Sequence, residues 1–93
     1  MRIPDRFLRK PGELPQGEFP CPCCGFVTLE ERPPGTYEIC RMCGWEDDPV
    51  QFNDPDYRGG ANGGSLREYR SAFDARLATH PEWAEGERRV PRS

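Results

Sequence analysis

Large aliphatic side chains are scarce in this chain: Leu, Ile, Val and Phe together fill only 15 of its 93 positions. A core that thin does not offset the chain entropy lost on folding, so a domain of this size needs a metal, disulfides or a partner as a staple. There is no length for a second core, and one small domain is expected. Long apolar runs are missing as well. No stretch approaches the roughly 18 residues a membrane helix requires, and the charged start Met1-Arg2-Ile3-Pro4-Asp5-Arg6 leads into no signal-type segment. A soluble, cytoplasmic chain with no membrane partner is the expectation. Histidine occurs once, as His80, and lysine once, as Lys10. A nucleophile pair would have to join His80, at the frayed end of a helix, to Cys23, and the Gly59–Gly64 run lacks the lysine of a phosphate loop. The twelfth position counted from Asp54 is Ser65 where a calcium loop needs Glu. The chain is therefore read as not an enzyme.

What the chain does have is turn-forming residues and thiols. Gly and Pro make up 21 positions, and there are five cysteines. An odd count cannot pair fully within one chain, and a cytoplasmic setting keeps thiols reduced, so metal ligation is preferred over a disulfide framework. The segments Cys21-Pro22-Cys23-Cys24-Gly25 and Cys40-Arg41-Met42-Cys43-Gly44 align as two copies of C-x-x-C-G, with 15 residues between Cys24 and Cys40. This selects Cys21, Cys24, Cys40 and Cys43 as ligands, because a C-x-x-C turn folds back so that both sulfurs reach one ion, and the following Gly accepts the left-handed backbone. Four sulfurs close the coordination sphere of Zn2+, which makes the ion a folding element worth on the order of 10 kcal/mol or more. Four thiolates also suit iron. Cys23 is left over. It is read as a small, partly buried side chain with no metal role, against two alternatives: exchange for Cys21 or Cys24 in the ligand set, or a reactive thiol activated by the ion.

Around the cysteines the pattern gives a small α+β fold. Residues 1–18, with three prolines and two glycines, read as an irregular arm. The alternating runs 26–30 and 36–39, joined across Pro33-Pro34-Gly35, read as a β-hairpin linking two Cys knuckles, which is a zinc-ribbon-like layout. Residues 45–64 are too rich in Pro, Gly, Asn and Asp for regular structure and read as a long loop packed by Trp45, Phe52 and Tyr57. Ser65 and Glu68 then form a capping box ahead of Leu66, Tyr69, Phe73 and Leu77, so one C-terminal amphipathic helix is expected over 65–78, ended by His80-Pro81. The domain is placed at 19–80, and 81–93 is read as a charged, disordered tail.

Residues 19–64 carry eight acidic side chains against three arginines, before any charge from metal-bound thiolates. That balance repels nucleic acid and disfavours a nucleic-acid-binding ribbon. It suits a basic protein partner, met by an acidic-aromatic loop in which Trp45, Glu46, Asp47, Asp48, Phe52 and Tyr57 are the candidate interaction residues. The expected function is a zinc-stabilised binding module. The alternative is a thiol-active or metal-handling protein that works through Cys23 and the zinc site.

The cysteine block Cys21–Gly25, the segments Tyr37–Cys40 and Cys43–Asp48, and Gly59–Leu66 occur in an order that resembles the bacterial cysteine-rich CPCC family, from about Phe19 to Phe73. The resemblance implies the zinc-ribbon reading and a bacterial origin. It brings no activity or substrate with it, and it draws attention to Trp45, Glu46, Asp47, Asp48 and Asn62.

Overall fold

The computed structural model describes residues 17–92, so the expected arm over 1–18 lies outside the described residues except for its last two. Two strands come first, β1 (Phe19–Pro20) and β2 (Val27–Leu29), followed by a short helix α1 (Pro49–Asn53), the long helix α2 (Leu66–Thr79) and a 3-10 turn at Pro81–Ala84. None of the described helices is long and apolar enough to cross a membrane.

The hairpin differs from the expected one. β2 pairs antiparallel with β1, Phe19 opposite Leu29 and Pro20 opposite Val27, so the strands flank the first knuckle instead of joining the two. Residues 36–39 form no strand, because Tyr37 takes a left-handed backbone (φ 57°) and breaks the extended run. Their backbone turns instead toward the far side of the second knuckle. The Tyr37 N–H donates to Asp47 O and the Asp47 N–H to Glu38 O, with Ile39 bridged to Glu46. What remains of the expected pairing runs through a side chain, since the Glu38 carboxylate accepts the N–H groups of Glu30 and Glu31 at 3.0 Å. Each knuckle is thus the tip of its own short hairpin.

The helix over 66–79 matches the periodicity. Ser65 caps it with the full capping box, its Oγ accepting the Glu68 N–H at 3.1 Å while Glu68 Oε1 accepts the Ser65 N–H at 2.9 Å. Leu66 and Phe73 are buried, and Tyr69 and Leu77 pack against the same core. Phe73 meets Phe26 edge-on with centroids 6.1 Å apart, and Tyr69 meets the fully buried Trp45 at 5.0 Å. The helix therefore lids the cysteines, which form the middle of the core.

The stretch 45–64 is more ordered than its composition suggests. Asp48-Pro49 starts a helix: Asp48 Oδ1 accepts the Val50 N–H at 2.8 Å, and Pro49 occupies the first turn, where its missing N–H costs nothing. Asp48 Oδ2 also accepts the Ala61 N–H at 2.8 Å, which ties the glycine-rich stretch to the cap. Gln51, fully buried, donates to Tyr57 O and Gly64 O and accepts from the Asn62 N–H and side-chain amide. Asn62 in turn exchanges two bonds with the Glu46 backbone, both 2.8 Å. These amides supply the backbone partners that a loop without strands lacks.

The segment read as a disordered tail is packed through residue 92. Trp83 stacks on His80 at 4.5 Å, and the Val27 N–H donates to Arg88 O while the Val90 N–H donates to Gly25 O, both at 2.9 Å. Sequence reasoning saw only charge here. The partners that hold it, backbone groups of the first knuckle, are invisible in composition.

Asn62→Ala strips the buried network of three donors and acceptors and is expected to cost about 2–4 kcal/mol in denaturant unfolding of the metal-loaded protein. Asp48 adds an acid sensitivity. The Ala61 N–H and then those of Val50 and Gln51 hold its carboxyl below the ordinary range against the cost of burial, so its contribution is full above that range and disappears as pH falls through the lowered value. A pH series of melting temperatures should show Asp48→Asn flattening that acid limb.

Candidate metal centre

The two knuckles are built alike because their sequences are alike. In the first, the Cys21 N–H donates to Phe26 O and the Gly25 N–H to Cys21 O; in the second, the Cys40 N–H donates to Trp45 O and the Gly44 N–H to Cys40 O, all at 2.8–2.9 Å. Gly25 and Gly44 both take the left-handed backbone, φ 80° and 84°, that lets each turn close. The amide two residues after the first cysteine then points at its sulfur: Cys23 N to Cys21 Sγ at 3.4 Å, and Met42 N to Cys40 Sγ at 3.3 Å.

Facing each other, the knuckles bring together Cys21, Cys24, Cys40 and Cys43, with every sulfur within 4.8 Å of the rest and all four buried. Cys21 lies 3.7 Å from Cys43, and Cys24 lies 3.7 Å from Cys40. A tetrahedral site with metal–sulfur bonds of about 2.3 Å has edges of about 3.8 Å, so four thiolates at these separations fit one ion. The cysteines are all free thiols, which keeps every sulfur available as a ligand. The four cysteines that the spacing selects are the four whose sulfurs the fold brings together.

Polar support around the sulfurs is uneven. The Thr28 hydroxyl sits 3.0 Å from Cys40 Sγ, a contact that nothing in the cysteine spacing announces. Burial opposes ionisation of Cys40, but hydrogen bonds from the Cys21, Cys24 and Cys43 thiols and from Thr28 outweigh it and hold Cys40 well below the ordinary thiol value. Cys21 is pushed up, first by its hydrogen bonds to Cys24 and Cys40, and Cys43 by those to Cys21 and Cys23. Cys24 is raised too, the contacts with Cys40 and Cys43 prevailing over the one with Cys21. A divalent cation among them would displace the thiol protons and let all four sulfurs ionise.

Cys23 is fully buried in the core and stays outside the four-sulfur group. Of the acidic-aromatic residues, Trp45 and Asp47 are fully buried and Asp48 nearly so, which makes them parts of the interior rather than of a contact surface. Asp47 Oδ2 accepts the Thr36 N–H and hydroxyl at 2.9 and 2.8 Å, pinning the segment that leads into the second knuckle. Phe52 is half-buried against the core, Glu46 is partly buried, and Tyr57 remains exposed. Val50, Tyr37 and Ile39 are exposed apolar residues on the same two chain segments flanking the second knuckle, and the sequence reading passed over them.

Compared with known proteins, residues 19–92 match the family model described as cysteine-rich CPCC, a span that takes in both knuckles, α2 and the C-terminal segment. No curated protein matches the chain.

Each of Cys21→Ser, Cys24→Ser, Cys40→Ser and Cys43→Ser should lose stoichiometric metal and unfold cooperatively at lower denaturant, whereas Cys23→Ser should keep one ion per chain by elemental analysis. Uptake at neutral pH should release protons from Cys21, Cys24 and Cys43, so affinity rises with pH; calorimetry in buffers of different ionisation heat measures this. The knuckle glycines separate by surroundings. A Cβ on Gly44 meets nothing within 4 Å, so Gly44→Ala should cost only about 1–2 kcal/mol of left-handed strain, while on Gly25 it meets Val90 O at 2.5 Å and Gly25→Ala should also displace the C-terminal segment.

Proposed function

The chain belongs to the cysteine-rich CPCC family, and on that premise we propose that it is a zinc-stabilised binding module, without catalysis of its own, that recognises a basic protein partner. The observation that carries the reading is the cluster of four buried sulfurs within 4.8 Å of one another: an ion bound tetrahedrally by all four would have no position left for water or substrate. An ion so held folds the chain instead of acting on anything. Zinc fits best among common ions because it takes four thiolates without redox change and without preference for a planar field.

The surface that supports partner binding is what remains outside once the interior residues are set aside. Tyr37 and Val50 are more than half exposed, Ile39 and Tyr57 about two fifths, and all four lie on the segments that flank the second knuckle. Asp54 and Asp56 are exposed beside them. Aromatic and aliphatic area within an acidic field suits a partner of opposite charge, since charge steers the encounter and the apolar groups supply contact area. Nucleic acid is disfavoured by the same field. The thiol-active alternative requires a thiolate within reach of solvent, and the complete burial of Cys23 argues against it.

Native mass spectrometry of the chain isolated from its own cells is the test. One zinc and one stoichiometric basic protein are expected, with the partner lost and zinc kept in a Val50→Asp, Tyr57→Ala variant. A complex that survives both substitutions, or a zinc-loaded chain that captures nothing, would overturn the binding-surface reading.

A further inference from the structure

Three arginines converge on the first knuckle. Arg70, on α2, donates twice to Pro22 O at 3.0 and 2.8 Å; Arg92 Nη1 donates to Cys23 O and Arg89 Nε to Cys24 O, each at 2.8 Å. Three successive carbonyls of the metal-binding turn are therefore held by guanidinium groups. Arg89 and Arg92 also reach back to α2, where Asp74 takes one on each carboxylate oxygen at 3.1 and 2.8 Å. The Arg89 guanidinium lies over the Phe26 ring at 4.9 Å and near that of Phe73 at 5.9 Å. The segment 88–92 so crosses from the helix to the knuckle and closes over it.

Two physical links join this segment to the sulfurs. Arg89 and Arg92 hold the carbonyls of Cys24, one of the four clustered cysteines, and of its neighbour Cys23, each at 2.8 Å, so the segment fixes the backbone that carries one of the sulfurs, while the cation that polarises the Cys23 N–H toward Cys21 Sγ is Arg70 on α2. A divalent ion in four thiolates also leaves a charge of minus two, which the adjacent guanidinium groups balance. At its start the segment is anchored by Glu87, whose carboxylate accepts from Arg41 of the second knuckle at 2.8 Å, and its other holds are polar as well. Arg88, Arg89 and Pro91 are exposed, Val90 and Arg92 half-buried, and its backbone makes the two bonds to Val27 and Gly25 already described. An element with polar anchors and little apolar burial opens at low cost.

We propose that residues 88–92 are a strap coupled to the metal centre: the bound ion holds the knuckle in the shape the strap grips, and the closed strap slows loss of the ion. This rests on the reading of the four thiols as an occupied metal site. Because coupling of this kind is reciprocal, whatever draws the strap away from Asp74 and the knuckle loosens the ion as well.

The test uses the full zinc-loaded chain and a chromophoric chelator that reports zinc release, with amide exchange at Val90 as a second readout. In an Arg89→Gln, Arg92→Gln variant, release should accelerate about ten-fold or more and the Val90 amide should exchange faster. The thiolate-to-metal absorption of the cobalt-substituted variant should stay unchanged, marking an intact ligand set. Arg67→Gln removes one positive charge from α2, where Arg67 pairs with the exposed Asp56 at 2.7 Å away from the knuckle carbonyls, and should alter neither readout. Faster exchange at Val90 with zinc released at the wild-type rate would overturn the coupling, as would a double variant in which neither changes. Equal acceleration in Arg67→Gln would also overturn it, by reducing the effect to net charge. A wild-type chain that holds no zinc would instead overturn the metal-site reading beneath it.

Discussion

Everything in this molecule is arranged around four sulfurs that must share one interior. Burying four thiols side by side without an ion leaves a poor set of weak hydrogen bonds; with a divalent cation the same atoms become the strongest cross-link in the chain. The shortage of aliphatic residues then ceases to be a defect. Phe26, Trp45, Leu66 and Phe73 have only to cover the cluster, since they do not have to make a core by themselves.

The two knuckles share one local design and differ in what stands behind them. Behind the second lies the long stretch from Trp45 to Gly64, whose packing runs through buried amides and carboxylates: Asp47 on Thr36, Asp48 on Ala61, Gln51 and Asn62 on the backbone between. Polar side chains can occupy an interior when each is matched to backbone groups that have no ladder of their own. Behind the first knuckle stand arginines from α2 and the C-terminal segment. Amides and carboxylates thus do most of the holding on one side and guanidinium groups on the other, with the Arg41–Glu87 pair tying the second knuckle to the C-terminal segment. The segments beside the second knuckle keep Tyr37, Ile39, Val50 and Tyr57 exposed, while the first knuckle is covered by the chain itself.

Of the six residues singled out as a contact surface, Trp45, Asp47 and Asp48 turn out to organise the interior. Their residue types attracted the functional reading for a sound reason, as aromatics and carboxylates rarely crowd together in a turn-rich segment without a purpose. The purpose here is structural: Trp45 closes the second knuckle and meets Tyr69, while the carboxylates cap backbone N–H groups. The exposed residues that qualify for contact, Val50 and Tyr37 among them, carry no signal in the sequence because exposure depends on which face the fold turns outward.

The sequence by itself determined which four cysteines cluster, the knuckle turns and α2 with its capping box. Each of these is encoded within a few residues, in C-x-x-C-G, in Ser65 with Glu68, and in the spacing of Leu66, Tyr69, Phe73 and Leu77. Asp48-Pro49 was legible in the same way, though the composition around it hid the helix it starts. The tertiary structure alone decided the pairing of β2 with β1, the burial of Trp45, Asp47 and Gln51, the support of Cys40 by Thr28, and the closure of 88–92 over the first knuckle. These join groups separated by tens of residues, where many partners of the same type compete. Which of them meet depends on how the two knuckles are set face to face, and no segment a few residues long encodes that.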